Sequence, residues 1–293
     1  MSMISSFFKS PDAARNIDLL FSTVRSGASQ PLTGYRFPSS SASAEITASQ
    51  RALSRIIEII TLNASQPTAK ASMDEKLGYV TAGTGSEGDD ALTVTGRGIA
   101  NIDSGEGNDT LTLKSNSISD IRTGNGNDVI KAAGSFVSSV DGGDGNDDIQ
   151  LKATLALAIL GGAGKDVMKV AANTIRDLDG GDGDDTLTLE GNRIFARGGA
   201  GNDQVSLKAT GRNAYMEYGF GRGDGQDVIR SSAPLSLALG ALAANELNVV
   251  VSGNSLTASV KGSQDTITVT LEDETAATYR FTVKDGQTML VIG

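Results

Sequence analysis

From Thr81 onward, short runs of alternating apolar and polar residues recur at a fixed interval. Asp90, Asp109, Asp128, Asp147, Asp166 and Asp185 succeed one another every 19 residues. Two residues after each stands an apolar side chain (Leu92, Leu111, Ile130, Ile149, Met168, Leu187), and four after stands another (Val94, Leu113, Ala132, Leu151, Val170, Leu189). The same positions are filled after Asp203 by Val205 and Leu207, and after Asp227 by Ile229, although those two aspartates follow at intervals of 18 and 24. A second apolar pair falls nine residues after each Asp (Ile99, Ile118, Val137, Ala156, Ile175, Ile194) and twelve after (Ile102, Ile121, Val140, Ile159, Leu178). After Asp203 these positions hold Arg212 and Tyr215, so the second wall is expected to fail there. A period of two marks a strand with one face inward. Each unit therefore makes two short strands and two turns and cannot bury its apolar face alone. Stacked units share a narrow aliphatic core between parallel sheets. The expected fold is mainly β, a parallel β-roll or β-solenoid of 19-residue coils over residues 81–230.

Upstream the period changes to that of a helix. Ser10 can cap and Pro11 open a first helix bearing Ile17, Leu20, Phe21 and Val24 and stopping at Gly27. A second, from about Ala44 to Leu62, places Ile46, Leu53, Ile56, Ile57 and Ile60 on one face. Residues 1–80 are read as a small α-helical cap for the open end of the solenoid. Residues 231–293 are read as a C-terminal β module.

Composition narrows the chemistry. The chain has 36 glycines in 293 residues, about twice ordinary usage. It has no Trp, His or Cys, and aromatics make up 4%. Without Cys there is no disulfide, thiolate metal site or cysteine nucleophile; without His the commonest general base and zinc ligand are missing. No catalytic constellation is found, and the chain is read as a non-enzyme. A net charge of −10 disfavours nucleic acid, which demands clustered Lys and Arg. Lys9, Asp12 and Arg15 interrupt the apolar residues of the N-terminus, so no cleavable signal peptide is predicted, and no stretch is apolar for long enough to span a membrane.

The acidic surplus gathers in glycine-rich turns ahead of each column aspartate. Gly105 and Gly107 precede Asp109, Gly124 and Gly126 precede Asp128, Gly143 and Gly145 precede Asp147, and Gly162 and Gly164 precede Asp166. Gly181 and Gly183 precede Asp185, Gly199 and Gly201 precede Asp203, and Gly223 and Gly225 precede Asp227, while Asp90 has Ser86 in place of the first loop glycine. Glycine admits positive φ and lets a backbone curl its carbonyls toward one centre. Calcium takes six to eight oxygens in loose geometry, so carbonyls plus one carboxylate per loop are suitable donors. Stacked carboxylates about 5 Å apart repel by about 1 kcal/mol per pair even in water, and a cation reverses that sign. These residues form the predicted metal set, binding several Ca2+ between successive loops. The far turns, such as Lys114-Ser115-Asn116-Ser117, lack the motif, which confines metal to one edge. Ala163 and Lys165 leave the loop of Asp166 the least acidic.

Gly180–Thr188 and Gly198–Ser206 fit Gly-Gly-x-Gly-x-Asp-x-U-x, with U a large aliphatic, at every position. At these residues the chain resembles the RTX, or haemolysin-type calcium-binding, repeat family. Gly219 to Ile229, Asn248 to Val260, Gln264 to Val269 and Lys284 to Thr288 resemble the closing module that follows such repeats. The resemblance implies a parallel β-roll with calcium between loops, and type I secretion from a Gram-negative cell with an uncleaved C-terminal signal. The family's usual repeat is nine residues with loops on both edges; here one loop recurs every 19.

Three functions follow. The first is a secreted, non-enzymatic calcium-binding protein with an adhesive, matrix or surface-structural role and a cell-surface or matrix partner. The second is ice binding, since the one-edged repeat resembles a Marinomonas antifreeze solenoid. That family places Thr three residues before the Asp, whereas this column reads Glu87, Glu106, Asn125, Asp144, Ala163, Asp182, Ala200 and Asp224. The third is an RTX-linked secreted enzyme or effector, for which residues 1–80 would have to supply the module.

Overall fold

The computed structural model describes residues 76–272, 274 and 276–293. The chain winds into a parallel β-solenoid with two walls. In the first, Leu111, Ile130, Ile149, Met168, Leu187, Val205 and Ile229 stack in register, as do Leu113, Ala132, Leu151, Val170, Leu189 and Leu207. The second wall stacks Ile99, Ile118, Val137, Ala156, Ile175 and Ile194 beside Ile102, Ile121, Val140, Ile159 and Leu178. All of these side chains are buried. Each large aliphatic contributes roughly 1.5–3 kcal/mol relative to exposure. Asp148–Ala163 and Val167–Asp182 are single strands of 16 residues that bend around whole coils. The two N-terminal helices expected from the sequence lie outside the described residues. No helix among the described residues is long and apolar enough to cross a membrane.

Strict alternation cannot send residues nine and twelve after the Asp to the same side. The backbone resolves this with one left-handed residue per coil, eleven after the Asp: Asn101, Asp120, Ser139, Ala158 and Asp177 have φ between 52° and 56°. The ladder steps over it, pairing Ala100 with Ser119 and then Ile102 with Ile121. Skipping one residue resets the phase, and both aliphatics face inward. Asn and Asp tolerate this conformation; Ser139 and Ala158 bear the left-handed penalty of about 1–2 kcal/mol.

The irregular intervals resolve in the same terms. Between Asp185 and Asp203, 18 residues apart, the missing residue is the left-handed one. Ile194 pairs with Ile175 and Ala196 with Leu178, so a two-residue step matches a three-residue step. Ala196 faces inward in place of Arg197, whose guanidinium pairs with Asp179 outside. Relative to the 18-residue coil before it, the interval of 24 to Asp227 carries four extra residues in the turn between the strands Gln204–Ala209 and Tyr215–Gly219 and two more in the loop between Gly219 and Asp227. The second wall does not fail there, contrary to the expectation from Arg212 and Tyr215. Met216 pairs with Ile194 and Tyr218 with Ala196, both buried, because the lengthened turn carries the inward phase past the counted positions.

The C-terminal end closes with antiparallel strands. Gln226–Ser231 pairs in parallel with Thr266–Leu271, the last strand of a meander with Leu247–Ser252 and Ser255–Val260. The second wall ends on Leu235–Ala238, which pairs with Gln287–Ile292, itself in a hairpin with Tyr279–Lys284. Both sheet edges that the solenoid would leave open at this end are thereby paired.

Ala158→Gly relieves the left-handed strain without touching the core. Urea unfolding in calcium is expected to show a gain of about 1 kcal/mol; a loss would mean that the conformation is not strained for alanine.

Candidate metal centre

Stacking in register brings the column aspartates into one file along one edge. Asp109, Asp128, Asp147, Asp166, Asp185, Asp203 and Asp227 are 1–2% exposed, whereas Asp90, at the first loop, is only half-buried. Each carboxylate reaches back one coil. The backbone N–H of Asp90 donates to Oδ1 of Asp109 at 2.8 Å, that of Asp109 to Asp128 at 2.7 Å, and those of Asp128, Asp147 and Asp166 to Asp147, Asp166 and Asp185 at 2.8 Å each. The file continues from Asp185 to Asp203 at 2.9 Å and from Asp203 to Asp227 at 3.1 Å. One oxygen of each carboxylate is thus spoken for. The other, Oδ2 of Asp109, Asp128, Asp147, Asp166, Asp185 and Asp203, is buried with no hydrogen-bond partner. An unpaired buried charge of this kind costs several kcal/mol unless something neutralises it.

Around these oxygens the backbone presents more oxygen. The two loop glycines of every coil from Gly105 to Gly225 have positive φ, which curls the turn. A Cβ on Gly126, Gly145, Gly164, Gly183 or Gly201 would overlap the carbonyl oxygen of the equivalent glycine one coil earlier, so these carbonyls point along the file from loop to loop. Among the described residues, the carbonyls of Gly107, Gly126, Gly145, Gly164, Gly183 and Gly201 accept no backbone hydrogen bond outside regular strands. The far edge differs: there the carbonyls of Asn116 and Ser135 each accept two N–H groups from the next coil. Beside Asp147, Asp166 and Asp185 a further cradle opens. The space that a Cβ on Gly142, Gly161 or Gly180 would fill is bounded by the orphan Oδ2 of its own coil and a glycine carbonyl of the next. Among the described residues no three His, Cys, Asp or Glu side chains converge on a point. A cation on this edge would therefore draw on one or two carboxylates and the backbone. The donors are all oxygen, without nitrogen or sulfur, which fits a hard divalent ion that tolerates loose geometry.

The file is electrostatically loaded. Burial, with repulsion from its neighbours, pushes Asp147 and Asp185 up to about 7 and Asp203 to about 6. Burial raises Asp109 to about 6 and Asp227 to about 8, and lifts Asp128 and Asp166 above the usual carboxylate range. In each case a backbone N–H bond opposes the rise without cancelling it.

The two ends and two of the inner coils depart from the pattern. At the first loop Ser86 donates to Oδ2 of Asp90 from both its N–H (2.6 Å) and its hydroxyl (2.9 Å), so that carboxylate is not orphaned. In the coils of Asp109 and Asp128 the cradle position is taken by Ser104 and Thr123, whose hydroxyls donate to the next coil's carbonyls, Thr123 and Gly142. At the last rung the buried Tyr218 hydroxyl accepts from Gly198 N–H at 2.8 Å and donates to Oδ2 of Asp227 at 3.3 Å. The N–H groups of Gly223 and Gly225 donate to the carboxylate of Asp265 at 3.1 and 3.2 Å. Burial opposes ionisation of Asp265, but these bonds and that from Ser263 hold it below the usual range. The signal for Asp265 was present: it is followed by Ile267 and Val269 at the spacing of the repeat. Its register is displaced by two, pairing Ile229 with Val269, which keeps the apolar face inward while moving the carboxylate under the glycines. Tyr218 had no signal, because the long turn hid its phase.

Outside the file runs a second ladder, one residue earlier. Asn108, Asn127 and Asn146 each accept the following coil's backbone N–H through Oδ1, at 2.7–2.9 Å. Lys165 interrupts it with no acceptor, and its ammonium pairs with Asp184 at 2.6 Å instead. The lysine therefore lies on the exposed rim, and the loop of Asp166 keeps the same cradle as its neighbours.

No protein-family model matches the chain, and no curated protein sequence matches it.

Because the folded carboxyl groups hold their protons more tightly than the unfolded chain does, folding without metal favours the protonated form. That stability is complete below about pH 4 and is lost as pH rises through 6 to 8. In excess chelator, β-sheet circular dichroism is expected to strengthen on acidification from pH 8 to 5. Weakening over that range would contradict the burial of the file.

Proposed function

We propose that the chain is a secreted, non-enzymatic calcium-binding protein of the RTX type, whose solenoid folds on binding calcium and then serves as a rigid adhesive or matrix element. The reading rests on one observation above the rest: six consecutive buried carboxylates each leave an oxygen without a partner. A β-solenoid with one loop per coil is consistent with such repeats, and the loop motif supplies the resemblance. Asp109, Asp128, Asp147, Asp166, Asp185 and Asp203, with the loop glycine carbonyls around them, would hold the ions. The most complete cradles are those of Asp147, Asp166 and Asp185. Calcium would supply positive charge that the file itself lacks.

The chain's own residues set the coupling between metal and fold. In the unfolded chain these aspartates are far apart and hydrated. In the folded chain they are dehydrated and stacked, so a cation that binds only the folded state adds its binding free energy to stability. A chain of this kind stays unfolded where calcium is scarce and folds where it is plentiful, which suits export before folding. The missing cysteines are consistent with that route.

Circular dichroism in excess chelator at neutral pH is expected to lose most of the β signal that calcium restores; equal signal in both conditions would sink the reading. Calorimetric titration of Asp147→Ala is expected to show fewer calcium ions bound per chain and a lower melting temperature than the parent. Unchanged stoichiometry and affinity would show that the file is not the binding edge.

A further inference from the structure

The chain has a net charge of −10, yet one broad face of the solenoid is basic. The outward positions of the first wall lie one, three and five residues after each column aspartate, and the cations fall in the two columns three and five residues after it. In register, the first column reads Thr112, Lys131, Gln150, Lys169, Thr188, Ser206 and Arg230. The second reads Lys114, Ala133, Lys152, Ala171, Glu190 and Lys208. Lys114, Lys131, Lys152 and Lys169 therefore give one cation per coil and alternate between the columns over four coils. Glu190 interrupts the series and Lys208 and Arg230 resume it. All six cations are exposed. Among the described residues only Lys208 has a partner, Glu190 at 3.9 Å. The other acid on this face, Asp148, is held by the side chain of Gln150.

Alternation sets the geometry. Coils advance by about 4.8 Å, and two residues along a strand span about 6.6 Å, so successive lysines stand roughly 8 Å apart in a zigzag. No two cations sit side by side, which limits their repulsion, while the charge along the axis repeats once per coil. Beyond Arg230 the face continues onto the C-terminal module as hydroxyls. Thr270 pairs with Ser255 at 2.8 Å and Thr268 with Thr257 at 3.1 Å.

We propose that this face binds a linear acidic polysaccharide with one carboxylate per sugar, lying along the solenoid axis. Such a polymer repeats its charge at a length comparable to one coil and offers hydroxyl groups to the Ser and Thr platform. The face has no aromatic side chain on which nucleic-acid bases could stack and none to insert into a lipid surface. The inference rests on the calcium-folded rod proposed above and assigns that rod its ligand class.

The test is calorimetric titration of the full chain at fixed free calcium with an oligogalacturonate of defined length, beside the variant K114Q/K131Q/K152Q/K169Q. Removing four of the six cations is expected to weaken binding by more than about tenfold, and added salt is expected to weaken the parent. The matched Lys→Arg variant is expected to keep the parent's affinity, which separates loss of charge from loss of fold. Equal affinity in parent and Gln variant, no binding by the parent, or tighter binding to duplex DNA or to phosphatidylglycerol vesicles would each overturn the proposal. Circular dichroism of the same samples with and without calcium reports on the calcium-folding reading separately.

Discussion

The structure depends on a file of dehydrated carboxylates that the stacking of coils cannot avoid creating. Each inner column aspartate uses Oδ1 to hold the backbone of the coil before it and is left with a buried Oδ2 that has no partner, which at Asp147, Asp166 and Asp185 faces a glycine-walled space. The first interaction sews the coils together; the second is an electrostatic debt that grows with every coil. The same residue is therefore a structural bolt and a source of instability, and which role dominates depends on whether protons or cations meet the second oxygen.

Glycine is required at these loops for two separate reasons. Positive φ at positions such as Gly145 forms the turn, and the absence of Cβ lets the carbonyl of the preceding coil approach along the axis. The far edge has no such loops and closes its backbone hydrogen bonds coil to coil. Oxygen is thus left without partners on one edge and satisfied on the other. The broad face between them presents lysines, so acidic and basic surfaces run parallel along one rod.

Termination shows what the file needs in order to stop. At the C-terminal end Tyr218 donates a hydroxyl to Asp227, and Asp265 accepts the N–H groups of Gly223 and Gly225 that a further loop would otherwise meet. A neutral donor meets the second oxygen of the last carboxylate, and a carboxylate replaces the next coil for the last glycines. At the other end Ser86 satisfies Asp90 in the same manner.

The 19-residue columns by themselves determined the parallel solenoid, the aliphatic walls and the file of aspartates, because a strict period forces equivalent residues to stack. They also marked the glycine turns. The left-handed residue at Ala158 and its equivalents was invisible, since no one residue type is common to Asn101, Asp120, Ser139, Ala158 and Asp177; only the backbone closure that turns both aliphatics inward requires it. Tertiary structure also decided that Met216 and Tyr218 continue the second wall, because a longer turn shifts phase without leaving a mark on composition. It decided that Asp265 caps rather than extends the file, since a two-residue register shift preserves the apolar pattern a sequence reader sees while relocating the carboxylate. Period determines which residues stack; register and backbone handedness determine what each stacked atom meets.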